Sequence, residues 1–214
     1  MRRRSIVAPS IQSLTSSGIR MKTSRFSVAL FALPMLVAVR PLAPKTHVID
    51  KAHSEINFVA DSRLLSAHGF FEKWDADVQL DPTNLEASTV SITIDANSIN
   101  TRVTMRDNHL RSDAFFDVAK YPKITFKSVS VKKTDNPKIL DIQGDLTIRG
   151  VTKRVSVPAA LVFYDKGAGR FRGQFTIKRK DFGVSFDPPV NPIEDEVQVQ
   201  WDMSLKEPTP TPAK

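Results

Sequence analysis

The chain contains no cysteine, and that absence alone removes disulfides, thiolate metal sites and cysteine nucleophiles. Compartment is not decided by it. Long apolar runs are missing too: the apolar stretch Phe26 to Val39, FSVALFALPMLVAV, covers 14 residues, too short to cross a bilayer comfortably. The four histidines, His47, His53, His68 and His109, show neither HxxxH nor HExxH spacing, so a metal site would have to be assembled across strands. His109 with Asp107 is too common a pair to specify general-base catalysis, and Ser54 beside His53 is no triad, because strand neighbours point to opposite faces.

Positive charge is scarce where a nucleic-acid binder would need it. The formal charge of the whole chain is +8, but Thr46 to Glu207 carries 22 basic residues against 23 acidic ones. The excess therefore belongs to the two ends, and a phosphate-backbone binder would carry it on the folded domain. Nucleic acid is set aside.

The basic N-terminal end has a layout of its own. From Met21, KTSR followed by the apolar stretch forms a secretory signal pattern, read as residues 21–43. Residues 1–20 fit neither a leader nor a domain and read as a gene-model extension, with Met21 as the start. No clean small-x-small cleavage site precedes Arg40 and Pro41, so an uncleaved anchor stays open, while the absence of a lipobox cysteine excludes a lipoprotein. The domain is expected over 46–206, and the Pro-rich end, 207–214, as a disordered tail.

What the domain does have is strand after strand. Val90, Ile92 and Ile94 alternate with Ser91, Thr93 and Asp95, the period of two of a sheet wet on one side. Leu140 to Ile148 repeats it, as do Val155, Val157, Ala159, Leu161 and Phe163, then Val197, Val199, Trp201, Met203 and Leu205, then Trp74, Ala76, Val78 and Leu80, and Ile56, Phe58 and Ala60. Turn chemistry separates the rows at Asp81-Pro82, Asn136-Pro137, Arg149-Gly150 and Lys166-Gly167. Eight to ten strands result, with almost no amphipathic helix to cover a flat sheet. The economical arrangement is an all-β fold, a closed antiparallel β-barrel of about eight strands, whose interior holds side chains or one small ligand.

One segment departs from alternation. Thr101 to Arg111 is helix-compatible, with Asn100 as N-cap and Val103, Arg106 and Leu110 on one side; Ser112 would cap a second turn through Val118. Tyr121-Pro122 returns the chain to extended form. A short helical excursion near residues 98–118 is thus expected as a lid, with Phe115 and Phe116 on different faces and only one of them at the mouth. Arg106, Asp107, His109 and Arg111 are candidates for holding it down, His53 and His109 by hydrogen bonds.

A family resemblance rests on residues spread through the domain. Asp50-x-x-His53-Ser54-x-Ile56-x-Phe58, His68-Gly69-x-Phe71, Arg106-Asp107-x-His109-Leu110-Arg111-Ser112, Phe115-Phe116-Asp117-Val118, Tyr121-Pro122-x-Ile124-Thr125-Phe126, Gly144-x-Leu146-Thr147-Ile148-x-Gly150-Val151-Thr152-Lys153 and Arg179-x-Asp181-Phe182-Gly183 resemble the YceI-like family. The resemblance implies a lipocalin-like barrel, exported to the bacterial periplasm or secreted, that holds a polyisoprenoid or other long-chain lipid. It implies no cofactor and no established enzymatic activity. A non-catalytic carrier is therefore expected; the alternative is a structural or stress-related barrel without ligand, or an uncharacterised enzyme. Transient membrane contact and a homodimer stay open.

Candidate lining residues are Phe58, Val90, Ile92, Ile94, Phe126, Leu146, Ile148, Phe175, Ile177 and Trp201, joined at the lid by Leu110, Phe115 and Phe116. The ordinary reading of any one of them is barrel core. Arg179 falls in the inward phase set by Phe171, Gly173, Phe175 and Ile177, where arginine is seldom left without a partner. Two readings are open for it: a head-group contact at the mouth, or a structural ion pair with Asp181, Asp195 or Glu196 or a bulge that turns it outward.

Overall fold

The computed structural model of the protein describes residues 45–206. The expected extension, signal segment and Pro-rich tail lie outside the described residues. The order is β1 (Lys45–Ile49), β2 (Glu55–Ser62), β3 (Ser66–Phe71), β4 (Trp74–Leu80), β5 (Thr89–Asp95), β6 (Ile99–Asn100), helix α1 (Thr104–Arg111), β7 (Lys123–Lys133), β8 (Ile139–Ile148), β9 (Val151–Asp165), β10 (Ala168–Lys178) and β11 (Ile193–Lys206). All pairings are antiparallel. The sheet runs β1-β4-β5-β7-β8-β9-β10-β11 and closes where Val48 and Ile49 meet Lys206 and Leu205. On the upper side β11 pairs with β2, β2 with β3 and β3 with β6.

These eleven strands are eight passes of the chain, three of them broken at one level. β1 and β2 are separated by a 3-10 turn at Lys51–His53, β3 and β4 by Glu72 and Lys73, and β5 and β6 by a 3-10 turn at Ala96–Ser98. Local polar contacts hold each break. His53 Nδ1 and Lys206 Nζ both reach Asp50 Oδ2 at 2.9 Å, and the Ser54 hydroxyl donates to the Asp50 carbonyl while accepting from Ser204 N–H at 2.9 Å. His53 therefore fixes a strand break, not the lid as expected. Asp50 itself is held below the usual carboxylate range by its bonds to Lys206 and His53.

Alternation puts Ile56, Ile94, Ile124, Phe126, Ile142, Leu146, Ile148 and Val157 inside. A second cluster, Val78, Leu80, Phe171, Met203 and Leu205, closes the lower end. Phe163, expected inside, is 48% exposed. Arg170 pairs with Phe163 but Phe171 pairs with Leu161, so Val162 is an extra residue, a β-bulge that reverses the phase and brings Tyr164 against the lower cluster instead.

Gly173 sits where the wall is tightest. Its inward position faces Trp201 across the β10–β11 ladder, and a Cβ there would run into the Pro158 carbonyl oxygen and lie 2.6 Å from the Trp201 indole nitrogen. The β9–β10 ladder also ends here, at Arg172–Ala160, just before proline would have to supply a missing N–H. Gly173→Ala is expected to lower stability by about 1–3 kcal/mol through overpacking. A urea midpoint equal to that of the wild type would show that the wall gives way freely.

Candidate functional site

The upper half of the barrel is hollow. A cavity of about 530 Å³ lies between the strands and is lined almost wholly by carbon. That volume falls within the roughly 300–1,000 Å³ of small-molecule pockets. Its lining on β11 runs from Ile193 to Met203, a span of ten residue steps. At about 3.3 Å per residue and a strand tilt of about 40°, that is roughly 25 Å along the barrel axis. The cavity is thus long for its volume, an elongated slot rather than a chamber.

The structure brings all fourteen sequence-predicted residues to this one cavity: Phe58, Val90, Ile92, Ile94, Leu110, Phe115, Phe116, Phe126, Leu146, Ile148, Phe175, Ile177, Arg179 and Trp201. Phe115 and Phe116 both line it. They follow the helix rather than belong to it: α1 stops at Arg111, and the Ser112 carbonyl, not its hydroxyl, receives Phe115 N–H at 3.1 Å and Asp117 N–H at 2.8 Å. In a turn, adjacent side chains are not forced to opposite faces as they are on a helix.

The helix begins later than the residues suggest. Arg102 has φ +64°, so Thr101 and Arg102 are outside α1, and Asn100 accepts the Arg102 N–H instead of capping. Val103, expected beside Leu110, is half exposed. The start of α1 is held from within: buried Asp107 accepts the Thr101 N–H at 2.8 Å and its hydroxyl at 2.6 Å, while Arg106 donates to the same hydroxyl and to the Thr101 carbonyl.

Two arginines tie the excursion to the barrel. Arg111 Nε and an Nη donate to the Asn97 and Ile99 carbonyls at 2.8 and 2.7 Å, fastening the end of α1 to β6. Arg149, at the β8–β9 turn, donates to the Asp113 carbonyl at 2.8 Å and to the Gly183 carbonyl. It joins the excursion to the segment that follows β10. His109 makes edge-on contacts with Phe115 and Phe186, ring centroids 4.9 and 5.0 Å away.

Arg179 is 5% exposed and sits in a 3-10 turn, Arg179–Phe182. Its five N–H groups make five hydrogen bonds: to the carbonyls of Val184, Phe186, Ile193 and Glu194 at 2.8 to 3.0 Å, and to Asp187 Oδ1 at 2.7 Å. The residue stays inward and its ion-pair partner is Asp187, none of the three carboxylates expected. Lys180 Nζ, the Ile193 N–H and the Arg179 charge together hold the Asp187 carboxyl below the usual carboxylate range. No donor of Arg179 is left over for a ligand.

Sequence reasoning missed the segment that Arg179 organises. Phe182, Val184 and Phe186 line the cavity, with Pro188 and Asn191 beyond them and Leu65 and Ala67 across the mouth. A signal was present, since 182, 184 and 186 are apolar at period two, but the segment contains no strand and the run is too short to separate from loop. Arg149 carried no signal, because a turn arginine acting on carbonyls looks like any surface arginine.

Residues 47–205 match the YceI-like domain family. A protein named YceI from Escherichia coli O6:H1 is 40% identical over 160 residues, covering 71% of this chain and 81% of that protein. The crystal structure of Burkholderia cenocepacia BcnA superposes with a TM-score of 0.69 at 26% identity, over 74% of this chain and all (100%) of that one. A polyisoprenoid binding domain from Saccharophagus degradans shares the fold, with a TM-score of 0.58 at 17% identity, over 77% of this chain and 99% of the other.

Proposed function

Because the chain belongs to the YceI-like family, we propose that it is a non-catalytic binding protein that carries a long-chain isoprenoid or similar apolar lipid in the slot inside its barrel. The observation that carries this reading is the slot itself, about 530 Å³ of carbon-lined space capped by the excursion after β6. Burying hydrocarbon contributes about 0.8 kcal/mol per CH2, so each five-carbon unit would supply roughly 3–4 kcal/mol before association and ordering costs. A few units suffice. The polyisoprenoid binding of the Saccharophagus degradans domain, which has the same fold, supports the same ligand class here.

Chemistry has little to work with in this space. Among the described residues the lining contains no Asp, Glu or Lys, Arg179 is fully engaged, and His109 stands between two phenyl rings. General acid–base catalysis needs a positioned proton donor and acceptor near one reacting atom. We place the protein in the periplasm or outside the cell, a reading supported by the charged-then-apolar pattern from Met21.

The reading is tested by native mass spectrometry and organic extraction of protein purified from its own host. One bound long-chain lipid per barrel is the expected result. Repeated recovery of empty protein would overturn it.

A further inference from the structure

The upper rim of the barrel is apolar in an unusual place. Among the described residues the three most exposed large apolar side chains are Met105 at 84%, Val190 at 80% and Leu64 at 69%, and they come from three separate segments. Each neighbours a residue that lines the cavity: Leu64 precedes Leu65, Val190 precedes Asn191, and Met105 stands one turn before His109 on the same face of α1. Leu64 N–H donates to Asn191 Oδ1 at 3.0 Å, so two of the three segments are physically joined. Of the other exposed apolar residues, Leu65 and Val103 adjoin these same segments, Val48 lies on β1, and Val129 and Val162 are the extra residues of β-bulges, with Phe163 following one.

Charge accompanies this apolar rim. Arg63 precedes Leu64, and Arg102 precedes Val103 and Met105; neither arginine forms an ion pair among the described residues. Asp187, the carboxylate on the Val190 segment, is already bound by Arg179 and Lys180. Cations without a carboxylate partner, Arg102 lying over the Phe70 ring at 5.6 Å, beside exposed apolar side chains match a bilayer surface, where anionic head groups lie above hydrocarbon. They suit a protein partner poorly. A stable protein interface buries about 1,200–2,000 Å² around a contiguous core, and here the apolar points are spread around an opening.

We infer that this rim docks on an anionic lipid bilayer, with Leu64, Met105 and Val190 entering the head-group layer so that the mouth of the slot opens onto hydrocarbon. The inference rests on the carrier reading for its purpose but not for its test. Protein as its own host processes it is mixed with vesicles of phosphatidylglycerol and phosphatidylethanolamine, and lipid content is measured by extraction in the same preparations. The triple variant Leu64→Glu, Met105→Glu, Val190→Glu should bind these vesicles at least about tenfold more weakly than wild type. Arg63→Gln and Arg102→Gln should each cost about fivefold, an effect absent with phosphatidylcholine vesicles. All five positions are surface side chains, and circular dichroism confirms the fold.

Loaded protein that ignores the vesicles, or a triple variant that binds as wild type does, overturns the docking and leaves the carrier reading standing. An empty barrel that still docks through the rim overturns the carrier reading alone. Retention by protein-containing envelope membranes but not by protein-free vesicles points to a protein partner and also overturns the inference.

Discussion

Arg179→Ala should destabilise the domain by about 3–5 kcal/mol, the cost of removing one partner from a buried, fully bonded charge. Five acceptors lose a donor at once, and four of them are backbone carbonyls, two in the segment between β10 and β11 and two at the start of β11. That segment supplies Phe182, Val184 and Phe186 to the cavity wall, so the upper end should loosen with it. Arg179→Lys should recover little, since one ammonium cannot reproduce a five-donor planar fork. Chemical denaturation of the three proteins measures the effect, and a midpoint for Arg179→Ala within error of wild type would refute the staple role.

Acid adds a second readout to that experiment. The folded-state value of Asp187 lies below its ordinary one because of Lys180, the Ile193 N–H and Arg179. A depressed carboxylate contributes stability that is present above its unfolded pKa, about 4, and is lost as pH falls through the lower folded value. Wild type therefore loses the clamp on the acid side, while Arg179→Ala has already lost the part of it that the Arg179 charge supplies. The gap between the two should narrow below about pH 4. A constant gap would mean that the carbonyl bonds alone carry the effect.

Val199→Trp should empty the barrel. Val199 lies on β11 between Phe175 and Phe58 on the two neighbouring strands, halfway along the slot. A bicyclic ring there takes the space of at least one five-carbon unit, worth roughly 3–4 kcal/mol of gross contact. At 1.4 kcal/mol per tenfold, affinity should fall by about two orders of magnitude, and the lipid recovered per mole should fall with it. Because the ring enters empty space, the stability cost should stay at the low end of the roughly 1–3 kcal/mol of ordinary overpacking. Gln198→Trp, on the opposite face of the same strand, should leave the lipid load unchanged. Equal loads in both variants would mean that the lipid does not occupy the slot.

Much of the architecture was legible because β-structure writes itself into sequence at period two. The rows Val90-Ile92-Ile94 and Leu140 to Ile148 needed no tertiary information to be placed inward, and the shortage of helices left closure as the way to cover them. Phe163 shows where that reasoning stops. One inserted residue, Val162, reverses the phase, and nothing in an alternating apolar run marks which residue will be skipped. The start of α1 failed for a related reason: a backbone at φ +64° in Arg102 is permitted to arginine but not announced by it.

The sequence by itself determined most of the inward and outward faces, the place of the excursion and fourteen of the residues that meet in the cavity. Each of these depends on side-chain hydrophobicity repeating at a fixed spacing. Tertiary structure alone decided what holds the upper end together. Arg179 finds Asp187 and four carbonyls, Arg111 finds Asn97 and Ile99, and Arg149 finds Asp113 and Gly183. Most of these acceptors are backbone oxygens, which every residue carries, so no residue type can reveal them. Only closure of the barrel brings them within hydrogen-bonding distance.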